Sequence, residues 1–440
     1  MAGKERVAFL TLGCKANQYD SMALMAGLSP DRYEVVESEG APVEADVYVI
    51  NTCTVTGRSD FQSRQMVRRA RKWNPQARIL VTGCLAEAQP GTLKNLPLDA
   101  LIGVKDRERA LEWIKAGVSG ERRDRAPRTG SASANRMDNH FFFHPEGGRQ
   151  RRTRALVKVQ DGCDLACAFC IVPRARGRSR SLPEPMVISQ LRSLKQQGFQ
   201  EAVLTGIHLG FYGRDQGKSL VALLRRIEIE PGLPARIRLS SLEPQEVSPE
   251  LIEVIKGSSR ICRHLHLPLQ SGDEEILRRM RRLYSPAQFH QVASALSAAL
   301  PDLCLGLDVI AGFPGETEAH FRSTLSFLED IPWSYLHVFP FSRRPGTPAS
   351  SMTGQIEART IRSRAARLRE LSERRRKAFY ALAQGRRLRM LVEDEKAGWQ
   401  RGFSDHYLPL RFQSDKDWQG QLVEIQVQGV DRQGGWGELA

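Results

Sequence analysis

Short apolar runs rich in β-branched residues alternate with segments of helical spacing along most of this chain, which restricts it to parallel α/β architecture. The runs at 7–12, 47–51 and 79–82 are nearly continuous, as strands covered on both faces are, and helical stretches lie near 18–28 and 61–73. Residues 1–120 are therefore expected to form a small doubly wound α/β domain. From 149 to 378 the alternation resumes on a larger scale. Candidate strands are 155–160, 202–205, 236–240, 264–269, 304–311 and 335–339, with helices such as 184–197, 249–255, 286–299 and 316–329 between them. Six such repeats fit an incomplete (βα)6 barrel, whose chemistry belongs at the C-terminal ends of its strands. Residues 121–148 are rich in Arg, Ser, Gly and Asn, contain Pro127 and Pro145, and read as a linker. Phe141, Phe142 and Phe143 within it read as a packing clip between domains. Residues 379–440 change character: short strands at 388–392, 406–412 and 422–427 suggest a small antiparallel, OB-like β-barrel.

The chain has 440 residues, 41% apolar and 26% charged, which excludes wholesale disorder. No stretch approaches the roughly 18–20 apolar residues of a membrane span, and the first residues run into a strand-like segment without the h-region of a secretory signal. Eight cysteines are too few for a disulfide scaffold. A reducing cytoplasm is expected, with thiols kept for chemistry. The net charge of +15 is concentrated. Residues 122–154 hold nine Arg against Asp124, Asp138 and Glu146, and residues 359–389 hold twelve Lys and Arg against Glu370 and Glu373. In the second segment Ile361, Ala365, Leu368, Leu371 and Ala378 keep helical spacing, so the arginines decorate an amphipathic helix. A solvated helix face is the plain reading of either segment alone. Together, with a pI near 9.7, they point to a polyanionic partner, nucleic acid first.

The strongest chemical signal is Cys163-Asp-Leu-Ala-Cys167-Ala-Phe-Cys170, placed just after a predicted strand. A 4Fe-4S cluster normally takes four thiolates; three close together with no fourth nearby leave one iron open to a chelating ligand. A structural zinc would need a fourth ligand and usually paired spacing. Cys14, Cys53 and Cys84 each follow a predicted strand and stand beside small or polar residues: Gly13, Asn51-Thr52 and Gly83. Scattered cysteines are most often buried thiols. Ligands, however, gather at the carboxyl ends of parallel strands, so a second three-cysteine cluster is expected here. Cys304 opens an apolar strand and reads as core; Cys262, beside basic residues, is left unassigned.

The 163–170 run, with Phe169 before its last cysteine, resembles the radical S-adenosylmethionine (SAM) signature. That resemblance implies SAM chelated to the open iron and cleaved by one electron to a 5′-deoxyadenosyl radical. The segments Thr205-Gly-Ile-His-Leu-Gly, His266-Leu-Pro-Leu-Gln-Ser-Gly and Asp308-Val-Ile-Ala-Gly-Phe-Pro-Gly-Glu strengthen it. They make Phe169, Gly206, His208, Gln270, Ser271 and Asp308 candidate cofactor-binding residues, although each glycine taken singly is explained by a tight turn. The whole chain resembles the methylthiotransferase family, with an N-terminal auxiliary-cluster domain, a radical SAM core and a C-terminal TRAM domain. The segment Thr11-Leu-Gly-Cys-Lys-Ala-Asn-Gln is closest to the branch acting on threonylcarbamoyladenosine in tRNA. A Gln commonly follows the cysteine in the isopentenyladenosine branch, and Pro-Lys in the ribosomal-protein branch.

The resemblance implies that Cys163, Cys167 and Cys170 hold the SAM-cleaving cluster. It implies that Cys14, Cys53 and Cys84 hold a second 4Fe-4S cluster carrying the sulfur to be transferred. One SAM would supply the methyl group, and another the radical that takes hydrogen from adenine C2 next to the anticodon. Partners would be tRNA, an electron donor such as flavodoxin or ferredoxin, and a sulfur source, with no membrane. The near alternatives keep the chemistry on isopentenyladenosine tRNA or a ribosomal protein. An alternative of another class, a non-catalytic iron–sulfur RNA-binding or electron-transfer protein, would need a fourth ligand closing each cluster. The segment 401–407 resembles a TRAM loop, making Phe403, Tyr407 and Trp418 candidates for base stacking. Arg174, Arg176, Arg178 and Arg180 have three open readings: substrate phosphate, the SAM carboxylate, or local acids.

Overall fold

Strand β3 (Val47–Thr52) is buried at every position and forms the centre of the N-terminal sheet. The computed structural model describes residues 4–38, 41–116 and 152–440; the expected linker 121–148, with its phenylalanine triplet, lies outside them. The sheet runs in the order β2-β1-β3-β4-β5, all parallel, with β1 Glu5–Thr11, β2 Tyr33–Glu37, β4 Arg78–Gly83 and β5 Ala100–Leu101. Alternate residues feed two separate cores. Leu10, Tyr48, Ile50 and Val81 pack on Met66, Val67 and Ala70 of the helix Gly57–Trp73. Val7, Phe9, Val49 and Leu80 pack on Leu24 of the helix Lys15–Ala26 and on Ile114. Helices on both faces make the domain doubly wound. Strands β2 and β5, absent from the sequence reading, are edge strands; β2 is half exposed and carries Glu34 and Glu37, so it lacks a continuous apolar run.

The central domain is a partial barrel of six parallel strands. β6 (Arg154–Lys158), β9 (Glu201–Thr205) and β10 (Arg236–Leu239) form one sheet, and β11 (His264–Gln270), β12 (Cys304–Ala311) and β13 (Tyr335–Pro340) another. A single bridge, Ile237 to Ile261, joins the two. A short hairpin of β7 (Gln160–Asp161) and β8 (Arg180–Ser181) flanks the first. Outward residues such as Val157, Leu204, Ile237, Leu267 and Leu307 share one core with the covering helices. The buried inward residues are largely polar: Lys158, Glu201, Arg236, Arg238, His264 and His266. That set is costly in an ordinary core and is tolerated here through internal pairing.

The helix Ala358–Ala381 buries Ala365, Leu368 and Leu371 against the barrel, and Phe379 and Tyr380 at its end pack into the C-terminal core. Ala378, counted on its apolar face from sequence, is exposed, and the expected boundary at 378/379 falls inside the helix. Beyond it, β14 (Arg387–Lys396), β15 (Trp399–Ser404), β16 (Pro409–Gln413), β17 (Leu422–Asp431) and β18 (Gly434–Leu439) close a small barrel. It is antiparallel except where β16 runs parallel to β18. Among the described residues, no helix is long and apolar enough to cross a membrane.

Candidate active site

Cys14, Cys53 and Cys84 follow β1, β3 and β4, which are neighbours in the sheet, so three cysteines distant in sequence share one edge. The order β2-β1-β3-β4-β5 reverses between β1 and β3, and such a reversal is where open α/β sheets receive ligands. Two glycines with positive φ make the turns, Gly13 at +100° and Gly83 at +98°. A Cβ on Gly13 would stand 2.6 Å from the Cys53 Cβ and 2.8 Å from its Sγ. Asn17, fully buried, donates to the carbonyls of Leu12 and Thr52 at 2.9 Å and accepts from the Cys84 thiol at 3.5 Å. Gly13→Ala is therefore expected to force the first two cysteine loops apart and to strain the backbone by about 1–3 kcal/mol. Iron and sulfide assays on the reconstituted protein would read the loss, and full iron loading would contradict this account of Gly13.

Cys163, Cys167 and Cys170 lie between β7 and the short helix Val172–Arg176. Gln160 organises this loop: its Nε2 donates to the Gly162 carbonyl at 2.8 Å and its Oε1 accepts the His208 N–H at 2.8 Å. The His208 Nδ1 is 3.5 Å from the Cys163 Sγ, while its Nε2 is 2.6 Å from Glu246. Arg282, which the sequence reading missed, donates to the Cys167 Sγ at 3.1 Å and pairs with Glu243.

The two triads are adjacent. Cys84 and Ala88, at either end of one helix, pack directly on Ile171 and Ala175 beside the other triad. Arg176 is buried between them, donating to Asn17 at 2.6 Å and Asp20 at 2.9 Å, with Asp161 at 3.2 Å. Its readings from sequence thus resolve to local acids. Lys158 joins Asp20 and Asp161 at 2.7 Å each, and Arg107 pairs with Asp20. Besides these acids, Cys84 and Cys14 lie within electrostatic reach of the Arg176 guanidinium. A buried guanidinium in that position suits thiolates carrying net negative charge.

Burial pushes the thiols up: Cys84 and Cys163 to about 12, Cys170 to about 11, and Cys53 and Cys167 above their ordinary value. Bare thiols there are protonated near neutral pH and are poor nucleophiles, whereas a bound metal deprotonates them outright. A single tetrahedral zinc would draw its sulfurs to about 2.3 Å from one point. Among the described residues, His266, Asp308 and His337 have donor atoms within 4.8 Å of one another. Two sets of three free thiols are donors of the kind an iron–sulfur cluster takes.

The other sequence candidates divide. Phe169 packs with Ile276, Phe313 and Phe341 beside the cysteine loop. A Cβ on Gly206 would lie 2.8 Å from the Gln160 side chain, so protein packing already requires that glycine. Gln270 has φ +63° and a buried Oε1 with no partner, as a side chain awaiting a ligand would. Ser271 is committed to Thr324 at 3.1 Å and to the Asp273 N–H at 3.2 Å. Asp308 accepts from His266 at 2.7 Å and lies 3.4 Å from His337, and these two imidazoles hold its carboxyl down at about 2 despite burial. Cys262 and Cys304 are buried at the opposite, N-terminal end of the barrel.

That N-terminal end is plugged by the loop 403–407. Arg236 and Arg238 donate to the carbonyls of Phe403, Ser404 and Asp405 at 3.1–3.3 Å. Tyr407 stacks between His264 at 4.6 Å and Phe403 at 4.9 Å. Phe403 and Tyr407 thus take part in docking the two domains, and Trp418 packs edge-on against Phe412; all three are half-buried. A groove on the small barrel presents Phe403 with Trp399, Lys396, and Arg401 and Arg411, which pair with Asp394 and Asp431. Strand alternation from 399 to 404 could have exposed it, but β15, unlike its partners β14 and β16, was not read as a strand.

Comparison with known proteins agrees with this geometry. Residues 6–103 match the family described as uncharacterized protein family UPF0004, and residues 157–328 match the radical SAM superfamily. The threonylcarbamoyladenosine tRNA methylthiotransferase MtaB of Bacillus subtilis is 38% identical over 96% of this chain and 93% of its own length. MtaB of Aquifex aeolicus is 37% identical, over 96% of this chain and all of its own. A tRNA-2-methylthio-N(6)-dimethylallyladenosine synthase of Geobacter metallireducens is 33% identical over 97% of this chain and 96% of its own. Among solved structures, the radical SAM methyltransferase TsrM of Kitasatospora setae superposes with a TM-score of 0.57 at 16% identity, over 79% of this chain and 75% of that one, a likeness of fold alone. With near full-length identity of this level and two cysteine triads meeting where a sheet edge abuts a radical SAM barrel, the chain belongs to the radical SAM methylthiotransferase family, close to its MtaB members.

Proposed function

We propose that this chain converts threonylcarbamoyladenosine in tRNA to its 2-methylthio derivative, using SAM and a 4Fe-4S cluster on each cysteine triad. The observation that carries this reading is the abutment of the two triads through Cys84, Ala88, Ile171 and Ala175. It lets one substrate carbon lie close to both. When bound, the clusters and SAM supply a hydrogen-abstracting radical, a methyl group and the sulfur, chemistry that no side chain provides. The protein's own residues hold and shield. Cys163, Cys167 and Cys170 would ligate one cluster and Cys14, Cys53 and Cys84 the other. Arg282 fixes the Cys167 sulfur, and Gln160 and His208 fix the loop carrying Cys163. Gln270 and Asp308 stand on the barrel strands as groups for SAM or the base, and Phe169 lines the same wall.

Phosphate attraction falls to exposed arginines. Arg359, Arg362, Arg369, Arg374 and Arg376 of the long helix are exposed and form no ion pair among the described residues. Arg364, by contrast, is buried on Glu316. These exposed arginines suit an RNA backbone, and the groove around Trp399 and Arg411 offers an aromatic face of its own. A cytoplasmic tRNA pool, a flavodoxin- or ferredoxin-like reductant and a sulfur donor complete the proposal. Mass spectrometry of tRNA nucleosides is the test. A deletion strain should lose the 2-methylthio form and keep unmodified threonylcarbamoyladenosine, with restoration by the wild-type gene. Loss of 2-methylthio-isopentenyladenosine instead would assign the other tRNA branch.

A further inference from the structure

The helix Lys15–Ala26 turns one face toward the interior of the central barrel: Tyr19 and Met22 pack on Leu156 and Val203, on β6 and β9. Residues four and seven apart lie on one helix face, so Lys15 projects from the same face one turn nearer Cys14. Its side chain remains open to solvent, yet its charge interacts with Arg154, Arg238, Glu201 and Cys14, and with His264 across the barrel. Those barrel residues sit on four different strands.

The cations around it are already matched. Arg236 and Arg238 share Glu201, at 2.7 Å each, and Arg236 also reaches Asp405 at 3.0 Å. Arg154 pairs with Glu393 at 2.5 Å. Among the described residues Lys15 forms no ion pair, and the acids near it are taken. An ammonium with no ion partner among the described residues, next to Cys14 and on the helix face turned to the barrel, calls for an anion brought by the substrate.

We propose that Lys15 is a specificity-determining residue that binds a carboxylate carried on the N6 substituent of the target adenosine. This rests on the function proposed above, since the threonylcarbamoyl group carries one carboxylate and an isopentenyl group carries none. A charged hydrogen bond to that carboxylate fixes the base from the side opposite its sugar. It also rejects neutral N6 substituents, which leave the ammonium desolvated and unpaired.

The experiment uses the full reconstituted chain and a labelled anticodon stem-loop RNA in two forms, one with threonylcarbamoyladenosine and one with its carboxyl methyl ester. Binding is read by fluorescence anisotropy, and methylthiolation by mass spectrometry. Wild type should prefer the acid by about 10- to 100-fold in Kd. Lys15→Met should bind both RNAs at the ester's level with unchanged iron content, and Lys15→Arg should recover much of the preference. Retention of the acid preference in Lys15→Met would overturn the proposal. So would loss of iron in that variant, which would make Lys15 a support of the cluster. Failure of wild type to methylthiolate the acid RNA while binding it preferentially would count against the proposed reaction and leave the carboxylate site standing.

Discussion

Cys53→Ala protein is expected to cleave SAM at a normal rate and to form no methylthiolated product, with iron falling from about eight to about four atoms per chain. Cys163→Ala should lose SAM cleavage altogether with a similar fall in iron. The asymmetry follows from position: Cys53 ends β3 of the N-terminal sheet, whereas Cys163 lies on the barrel loop organised by Gln160 and His208. Ligand removal acts locally because each triad is built on its own domain and has its own backbone turns. Iron analysis, 5′-deoxyadenosine release and product mass spectrometry separate the two effects. Normal methylthiolation by Cys53→Ala protein would exclude the N-terminal triad from sulfur transfer.

The second large effect is on stability. Arg176→Met should destabilise the protein by about 3–5 kcal/mol, because it leaves Asp20 and Asp161 buried with fewer cations. All partners of Arg176 are buried, and they come from both domains: Asn17 and Asp20 from the N-terminal helix, Asp161 from the barrel. The loss should therefore appear first as separation of the two domains. Hydrogen exchange in the helix Lys15–Ala26 and denaturant unfolding of the metal-free protein would report it. Arg176→Lys keeps the charge but cannot reach Asn17, Asp20 and Asp161 at once, so it should recover only part of the loss. An unchanged unfolding midpoint for Arg176→Met would mean the network adds little to domain docking.

Much of this architecture was legible locally. Strands β1, β3 and β4 declare themselves because burial on both faces demands continuous apolar runs, and the barrel strands by apolar residues that alternate with polar ones lining the interior. Strands β2, β15 and β18 did not, since each is half exposed or Gly-rich and owes its pairing to neighbours. The cysteine spacing in 163–170 is a local signal, and Cys14, Cys53 and Cys84 were linked by their shared position after strands. The roles of Phe403 and Tyr407 went the other way: an aromatic pair looks the same in sequence whether it stacks on a base or on His264.

Sequence alone determined the element types, the three-part order and the six cysteines in two incomplete sets, because periodicity and ligand spacing are properties of short segments. Tertiary structure decided which charges meet. Arg176 joins Asp20 across 156 positions and Arg238 holds Ser404 across 166, while among the described residues Lys15 forms no ion pair and Glu201 and Glu393 are paired to arginines. Pairing of buried charge depends on distances between elements far apart along the chain, and no local pattern encodes those distances.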